Sequence, residues 1–280
     1  MKIGIVGLGL IGGSLGLDLR QSGNYNVLGV SRREEICQQA IARGIVDDAS
    51  TNLTFLATAD VIFLCTPLGA IESTANQLIP HLSPNTILTD VGSVKVSIVE
   101  AIAPQWQNFV GGHPMAGSTE SGLDAVVSEL FVNKTYVLTP IESTPTSALE
   151  IVEAIVHSLQ ARIYRCHPQE HDHAVAWISH LPVMISASLI AACEGESDPV
   201  ALKLAQKFAS SGFRDTSRVG GGNPELGVMI ARYNQQELVR SLYAYRDQLN
   251  QVTHWIEQGD WRSLENHLLK TQQARPPYVD

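Results

Sequence analysis

The sequence predicts an α/β protein, with a Rossmann-type doubly wound parallel sheet followed by an all-helical domain. Three observations carry this prediction. Strand patterns alternate with helix patterns from Lys2 to about residue 165, which is typical of a parallel sheet covered by helices on both faces. A glycine-rich loop directly follows the first strand. Beyond residue 165 only helical periodicity remains. We therefore predict one domain over residues 1–165 and a second over residues 166–280.

The composition is that of a globular chain with an acidic balance. The 280 residues are 44% hydrophobic and 17% charged, and they carry a net charge of −9. This balance argues against a nucleic-acid surface or an anionic membrane as partner. The four cysteines form no CxxC pair, the chain starts with a strand, and we expect no apolar run to span a bilayer. We therefore expect a reduced, cytoplasmic protein without nucleic-acid or membrane partners.

The first strand runs into a GxGxxG motif formed by Gly7, Gly9 and Gly12, and a helix pattern follows at once. The first glycine permits a tight turn, the second lets a pyrophosphate approach the backbone, and the third lets the helix pack on the strand. Phosphates bind at the N-terminus of such a helix, which includes Leu10 and Ile11. The motif predicts a dinucleotide-binding domain, and the alternative is a glycine-rich turn without a ligand.

The second strand ends in Ser31, Arg32 and Arg33. Sites for NAD place a carboxylate here, which binds the ribose 2′-hydroxyl. A carboxylate would repel a 2′-phosphate, whereas guanidinium groups pair with it. We therefore predict NADP as the cofactor, with the alternative that the arginines only begin a solvated helix. Thr66 and Pro67 follow the next predicted strand and should face the same ligand, which binds beyond the carboxyl ends of the strands.

Two more strand patterns end near polar side chains. Residues 109–122, FVGGHPMAGSTESG, hold His113 in a glycine-rich loop, and Ser93 follows the strand that ends at Asp90. The proline after His113 disfavours helix at this residue. A histidine held in such a loop can act as a general base, because its charge changes near neutral pH. The alternative is an ordinary turn histidine. We expect Ser93 and His113 to face the crevice that contains the glycine loop.

Further histidines stand at the start of the helical part. His180 lies in an SHLP run and is either a substrate ligand or a capping or core histidine. His167, His171 and His173 form an HxxxHxH pattern. A solvated polar helix start is favoured over a metal site, because Pro168 separates the histidines and no further ligand is obvious.

The run GFRDTSR contains Arg214 and Arg218 at a helix–loop junction. Two arginines with neighbouring hydroxyls could clamp a carboxylate, and the alternative is a solvated helix end with a local Asp–Arg pair. Later helices, such as ELVRSLYAYRDQLNQVTHWI, carry apolar residues on more than one face. This pattern predicts packing between subunits and hence a homodimer.

GLGLIGGSLGLDL, DVGSVK, GGHPMAG, ISHLP and FRDTSR occur in this order along nearly the whole chain. Together they resemble the prephenate/arogenate dehydrogenase family of tyrosine biosynthesis. The resemblance implies a Rossmann domain followed by a helical dimerisation domain, and a small cyclohexadienyl substrate. It also implies that His113 is the catalytic base for the ring hydroxyl and that Ser93 orients it.

The resemblance further implies that Arg218 binds a substrate carboxylate, that Asp215 supports it, and that His180 lines the pocket. This chain departs from the family pattern at two positions. Some relatives carry an acid six residues after the catalytic histidine, where this chain has Thr119, and many have a tryptophan where it has Gly227. Both positions bear on the choice of substrate.

The implied reaction is the NADP-dependent oxidative decarboxylation of arogenate to tyrosine, and prephenate dehydrogenase is the alternative. We expect activity to fall on acidification through a pKa of about 6–7, because His113 must be neutral to act. A β-hydroxyacid dehydrogenase is a more distant alternative, but residues 170–193 lack the lysine that those enzymes use. A non-catalytic NADP(H)-sensing module would leave Ser93, His113 and Arg218 without a purpose.

Overall fold

The computed structural model describes residues 1–117 and 120–279. Its strands are β1 (Lys2–Val6), β2 (Asn26–Val30), β3 (Asp48–Ser50), β4 (Val61–Leu64), β5 (Ile87–Asp90), β6 (Phe109–Pro114), β7 (Thr135–Thr139) and β8 (Arg162–Arg165). They form one sheet in the order β3-β2-β1-β4-β5-β6-β7-β8. The neighbours from β3 to β6 are parallel. This arrangement is the strand order of dinucleotide-binding sheets, and it confirms the predicted fold class.

The helices are α1 (Leu10–Gln21), α2 (Glu34–Ala42), α3 (Ile71–Leu78), α4 (Val96–Ile102), α5 (Thr146–Ser158), α6 (Pro168–Val175), α7 (Leu181–Glu194), α8 (Pro199–Phe208), α9 (Ser211–Ser217), α10 (Pro224–Tyr233), α11 (Gln235–Gln258) and α12 (Trp261–Ala274). A π-helical turn, Ala176–His180, joins α6 to α7. The chain forms two compact units, Met1–Asn234 and Gln235–Asp280. The predicted domain boundary after residue 165 falls inside the first unit and stays a prediction.

The central strands β1 and β4 are apolar on both of their faces, apart from Lys2 at the start of β1, and helices cover both faces of the sheet there. Ile3, Ile5 and Phe63 belong to the cluster that includes residues of α1 and α5. Val6 and Leu64 point to the opposite face and belong to the cluster with residues of α3 and α4. Alternate residues of a strand point to opposite faces, so a continuous apolar run is what two covered faces require. Burying each such side chain stabilises the fold by about 1.5–3 kcal/mol.

The prediction of a fully parallel sheet needs a correction at one edge. β7 pairs antiparallel with β6, and β8 is again parallel to β7. Between β6 and β7 the described residues form a short 3-10 turn, Leu123–Ala125, rather than a crossover helix. Parallel neighbouring strands need a crossover connection. Helix α5 provides it between β7 and β8, but the described residues between β6 and β7 contain no such helix. The edge strand β3 was not predicted from the sequence, because its three residues are too few to show a strand pattern.

The segment Pro168–Glu194 corrects a second expectation. By length and composition it could cross a membrane, although no such run was expected. The interruptions at His180 and Pro182 do not end the helical path, because the π-helical turn carries it from α6 into α7. Polar side chains near the start of the segment are buried and bonded to the sheet domain, as described below. The expected absence of a membrane partner stays a prediction.

Candidate active site

The loop after β1 has the geometry of a nucleotide-binding turn. Gly7 has a φ of +99°, a backbone conformation that residues with side chains rarely adopt. A Cβ on Gly12 would lie 2.0 Å from the Gly7 carbonyl oxygen, so the turn and the helix meet too closely for a side chain. By contrast, no atom of residues 1–117 and 120–279 lies within 4 Å of the place where a Cβ on Gly9 would stand. The space above Gly9 is therefore open to a ligand.

Helix α1 begins at Leu10, with Gly9 as its N-cap residue. No side chain caps this end, and the first turn, which includes Ile11, has no acidic residue. Free backbone N–H groups and the helix dipole therefore favour an anion here. Among the described residues, the buried Thr66 Oγ1 has no hydrogen-bond partner, and Pro67 follows it at the start of a 3-10 turn. An unpaired buried hydroxyl beside this end of the sheet fits a polar ligand.

Ser31, Arg32 and Arg33 lie at the end of β2, as predicted. Ser31 is half-buried and both arginines are exposed. The Arg33 backbone N–H donates to Ser31 Oγ at 3.4 Å, and Arg33 is the N-cap residue of α2. Two exposed guanidinium groups at the end of β2, where an NAD site would have a carboxylate, suit a phosphate. Their contact with a cofactor stays a prediction.

His113 lies on β6 and is the first member of a buried chain of hydrogen bonds. Its Nδ1 lies 2.8 Å from His171 Nε2. On the other side of that ring, His171 Nδ1 lies 2.7 Å from Asp172 Oδ1. His113, His171 and Asp172 are 8%, 2% and 3% exposed, so little water competes for these bonds. We call these three residues the histidine relay. The relay links the sheet to α6.

Backbone groups hold the Asp172 carboxylate in place. Its Oδ1 accepts the backbone N–H of Lys95 at 2.7 Å, and its Oδ2 accepts that of Val96 at 2.9 Å. These two donors stand at the start of α4, where the helix dipole also favours a negative charge. Together with His171, they give the carboxylate three donors, which satisfies its need for hydrogen bonds in a buried place. Asp172 is therefore fixed as the acceptor that ends the relay.

The relay determines which nitrogen of His113 carries the proton. A carboxylate can only accept, so His171 Nδ1 donates to Asp172. With His171 neutral, its Nε2 is an acceptor, and His113 Nδ1 must donate to it. The lone pair of His113 then lies on Nε2, the nitrogen outside the relay. A histidine in this tautomer can accept a proton from a ligand, as in the orienting bond of a catalytic triad.

His180 is a second buried histidine, and Asn234 determines its tautomer. The Asn234 amide Nδ2 donates to the Asp172 carbonyl oxygen at 2.8 Å and lies 3.1 Å from His180 Nδ1. An amide nitrogen donates both of its hydrogens, so His180 Nδ1 accepts and Nε2 carries the ring proton. Among the described residues this buried Nε2 has no partner at standard hydrogen-bond geometry, although the Ser93 backbone interacts with the ring. His180 therefore offers an N–H donor beside the Ser93 backbone.

Both histidines are held neutral. Burial is the main cause that lowers the pKa of His113 well below its ordinary value of 6.5, and His171, Lys95 and His180 lower it further. Burial also lowers the pKa of His180 to about 4, although Asp172 opposes the change. The expectation that activity falls through a pKa near 6–7 is therefore wrong, because a buried imidazole resists protonation. We therefore expect the fall of activity in acid to occur at lower pH than this.

The other predicted residues lie in varied surroundings. Ser93 is half-buried and its backbone lies beside the His180 ring, whereas His171 is the partner of His113 Nδ1. Arg218 is exposed at the end of α9. Asp215 is also exposed and pairs with Arg214 at 3.3 Å, the local pair considered above as the alternative. Its proposed support of Arg218 stays a prediction, and Thr119 lies outside the described residues.

The interpretation of the HxxxHxH pattern as a solvated helix start is wrong for its central part. His171 and Asp172 are buried and bond to His113 and to backbone, while only His167 and His173 are exposed. A signal was present in the sequence. Pro168, His171, Asp172 and Val175 recur at helical spacing and form the buried face of α6. A polar pair on an otherwise apolar stripe indicates a buried network.

Two family models match the chain. Residues 15–165 match the nucleotide-binding domain of prephenate dehydrogenase, and residues 167–270 match the dimerization domain of prephenate dehydrogenase. Prephenate dehydrogenase of Bacillus subtilis is 30% identical over 93% of this chain and 71% of its own length. The sequence and both halves of the fold thus agree with one group of enzymes.

Two solved structures are similar over the whole chain. Arogenate dehydrogenase of Synechocystis is 53% identical with a TM-score of 0.89, and the match covers 100% of both chains. Prephenate dehydrogenase of A. aeolicus, in complex with hydroxyphenyl propionate and NAD+, is 26% identical with a TM-score of 0.93, over 98% and 97% of the two chains. The chain described here belongs to the prephenate dehydrogenase family of oxidoreductases.

Proposed function

We propose that this chain catalyses the NADP-dependent oxidative decarboxylation of arogenate to tyrosine. The histidine relay carries the proposal, because it leaves a lone pair on His113 Nε2 in a buried place at the carboxyl edge of the sheet. The nucleotide-binding loop follows β1 at the same edge. The 53% identity with an arogenate dehydrogenase supports arogenate as the substrate.

A pyridine nucleotide fits the residues at this edge. The uncapped start of α1 and the open space over Gly9 suit a pyrophosphate. Thr66 Oγ1 offers a buried hydroxyl that has no hydrogen-bond partner among the described residues. The two exposed arginines after β2, Arg32 and Arg33, support NADP over NAD, because a 2′-phosphate gains from positive charge and would be repelled by a carboxylate. When bound, the cofactor supplies the acceptor for a hydride.

In the proposed mechanism, His113 accepts the proton of the ring hydroxyl at Nε2, while the carbon that bears this hydroxyl gives up its hydride. His171 and Asp172 keep the His113 ring in the tautomer that this transfer needs. The ring carboxylate then leaves as CO2, and its bonding electrons complete the aromatic ring as a phenolate. The proton held on His113 Nε2 returns to this oxygen and gives the phenol. Aromatisation favours this step, so the protein mainly has to position one hydroxyl and one base. General-base help of this kind accelerates a reaction by about 10²–10⁴-fold.

The remaining polar residues are proposed to hold the substrate. The His180 N–H, which makes no hydrogen bond of standard geometry within the described residues, can donate to a substrate oxygen. Ser93 lies beside His180 and is proposed to orient the hydroxyl. Arg218, with Asp215 near it in sequence, is proposed to bind a carboxylate. Thr119 is proposed as a position that affects substrate choice.

Four steady-state assays test the proposal. The rates of NADPH and NADH formation are measured with arogenate and with prephenate, and the four kcat/KM values are compared. We expect the NADP–arogenate pair to be highest. A higher value with prephenate would make the chain a prephenate dehydrogenase, and a preference for NAD would contradict the role of Arg32 and Arg33. No turnover with any pair would contradict the enzyme assignment itself.

We propose that the chain acts as a homodimer through its helical part. Large apolar side chains are exposed on α8 and α10, with Val200 65%, Phe208 73% and Val228 67% exposed. Large exposed apolar side chains of this kind indicate a protein partner, and the matched dimerization domain includes all three. Light scattering coupled to gel filtration should give the mass of two chains. A single-chain mass across micromolar concentrations would contradict the proposal.

We further propose that the protein works in the cytoplasm. All four cysteines are free, and Cys37 is buried. Free thiols without a disulfide agree with a reducing compartment. This agreement supports the expectation from the sequence.

A further inference from the structure

A charged pair lies buried behind the histidine relay. Asp90 ends β5, and Lys95 follows five residues later at the start of α4. Their side chains are ion-paired and 0% exposed. A buried ion pair is usually no more stabilising than apolar side chains of the same size, because both charges lose their water. The contacts of this pair indicate what it does instead.

The Asp90–Lys95 pair bonds to the backbone of β6 just beyond the last hydrogen-bonded residues that β6 shares with β5. That ladder ends at the pair of Thr89 and Val110. Two residues further, Asp90 Oδ1 accepts the backbone N–H of Gly112 at 3.1 Å. Lys95 Nζ donates to the carbonyl oxygen of the same Gly112 at 2.6 Å. The pair therefore grips both polar backbone groups of the residue directly before His113.

Asp90 can approach the backbone of Gly112 this closely because Gly112 has no side chain. A Cβ there would lie 2.7 Å from the Asp90 carbonyl oxygen and 3.2 Å from Tyr136 Cε1. Asp90 Oδ2 also accepts the backbone N–H of Gly92 at 2.8 Å, which fixes the turn that leads to Ser93. The carboxylate thus ties the end of β5 to two loops of the site.

Lys95 reaches His113 by a second route. Its backbone N–H donates to Asp172 Oδ1 at 2.7 Å, and Asp172 bonds to His171, which bonds to His113. The Lys95 side chain thus holds the backbone of the catalytic strand, while the Lys95 backbone holds the far end of the relay. One residue sets both the position and the orientation of the proposed base.

We propose that Asp90 and Lys95 form a positioning pair that places His113 for proton transfer and keeps a positive charge close to its ring. This inference rests on the proposed function for its kinetic consequence, but the positioning itself can be measured without turnover. Asp90 and Lys95 contact neither the cofactor nor the substrate in the proposal. They act through Gly112 and through the relay.

The charged and titratable groups that face His113 come from several elements. They are Lys95 before α4, His171 on α6 and His180 in the π-helical turn. Two carboxylates stand behind them, since Asp90 pairs with Lys95 and Asp172 bonds to His171. Of these, His171, Lys95 and His180 lower the pKa of His113. Removal of the Lys95 charge should therefore raise the pKa of His113, and the acid limb of the activity profile should move to higher pH.

Two double variants separate the hydrogen bonds to Gly112 from the effect of the Lys95 charge. Asp90→Asn with Lys95→Met removes the charges and the donor to Gly112. Asp90→Asn with Lys95→Gln removes the charges but keeps an amide donor near the same carbonyl. Neither variant leaves an unpaired buried charge, which limits the cost to folding. The Gln variant also remains a test if the Met variant does not fold.

The matched control is Arg20→Met with Asp47→Asn. Arg20 and Asp47 form an ion pair at 2.7 Å. Arg20 donates to the Gly44 carbonyl oxygen at 2.9 Å, and Asp47 accepts the Val27 backbone N–H at 2.7 Å. This pair grips backbone in the same way, but it is partly exposed and lies away from His113. Its loss should affect stability alone.

Three readouts are measured: kcat and KM, the pH profile of kcat/KM, and the titration of His113 by NMR in the free protein. For the Met variant we expect kcat to fall by about 10–10²-fold, the range seen when a supporting group of a site is removed, with KM little changed. The Gln variant should lose less. Both should raise the NMR midpoint of His113 and move the acid limb to higher pH, because the Lys95 charge that lowers the pKa of His113 is gone.

An NMR midpoint and an acid limb equal to those of the native chain in a folded variant would overturn the proposal. An equal shift in the Arg20–Asp47 control would also overturn it. The NMR titration keeps the two proposals apart. If His113→Asn retains full turnover, the proposed function fails, yet the His113 midpoint in the double variants still tests the positioning pair.

Discussion

The nucleotide loop and the histidine relay lie at the same edge of the sheet, but they are built from different parts of the chain. The loop consists of consecutive residues, Gly7 to Gly12, and its geometry depends on close backbone contacts at Gly7 and Gly12 that leave no room for a Cβ at these two positions. The relay consists of side chains from β6 and α6, and backbone from the start of α4 holds it. A change in one region should therefore leave the other intact. The predictions below use this independence.

The largest effect is expected for His113→Asn. The amide cannot accept a proton at neutral pH, so kcat should fall by about 10²–10⁴-fold, the usual range for a general base. Cofactor affinity should stay near that of the native chain, because the loop after β1 does not depend on His113. Steady-state kinetics and a fluorescence titration of NADPH measure the two quantities. Near-normal turnover would remove His113 from the mechanism.

Asp172→Asn should have the next largest effect. An amide can donate to His171 as well as accept from it, so the tautomer of His113 is no longer fixed. We expect kcat to fall by about 10–10²-fold, as for the loss of other supporting groups, again with cofactor binding retained. The exposed Asp247→Asn is a matched control and should show neither change. Equal kcat in the two variants would show that the relay has no kinetic role.

Gly9→Ala probes the other region. No atom in the described part of the chain lies within 4 Å of the new Cβ, so the melting temperature should hardly change. A pyrophosphate over this backbone would meet the methyl group. NADPH should bind about 10-fold more weakly, the equivalent of about 1.4 kcal/mol. Gly212→Ala is the control, since its Cβ also meets no atom within 4 Å. Unchanged NADPH affinity would place the cofactor elsewhere.

The last expected effect concerns stability in acid rather than kinetics or cofactor binding. His180 has a pKa of about 4 in the folded chain, below its unfolded value of about 6.5. The unfolded chain therefore binds more protons as the pH falls below 6.5, and stability is lost from there down to about pH 4. His180 alone would account for about 3 kcal/mol of this loss. In His180→Asn the melting temperature should fall less between pH 6.5 and pH 4 than it does in the native chain. An equally steep fall in the variant would contradict the assignment.

The sequence was most informative where function depends on neighbouring residues. Gly7, Gly9 and Gly12 could be assigned because the strand, the turn and the helix are consecutive. His113 was found for a similar reason, since glycines and a proline surround it. The antiparallel pairing of β7 could not be found in this way, because no local pattern specifies a missing crossover.

The relay was missed because its partners are far apart in sequence. His171 lies 58 residues from His113, and Asp172 lies 77 residues from Lys95. Asn234, which sets the tautomer of His180, lies 54 residues from it. From the sequence alone, a polar residue on a helix is expected to be solvated until the packing of that helix is known. The burial of His171 and Asp172 in the structure is what indicates that they belong to the candidate site.

The most direct test of the account is the ring tautomer of His113, measured by nitrogen-15 NMR of the histidine side chains at pH 7, with His113→Asn used for the assignment. The account predicts a neutral ring with the proton on Nδ1 and the lone pair on Nε2, and a titration midpoint well below 6.5. A ring with its proton on Nε2, or one that titrates at an ordinary histidine pKa, would contradict it.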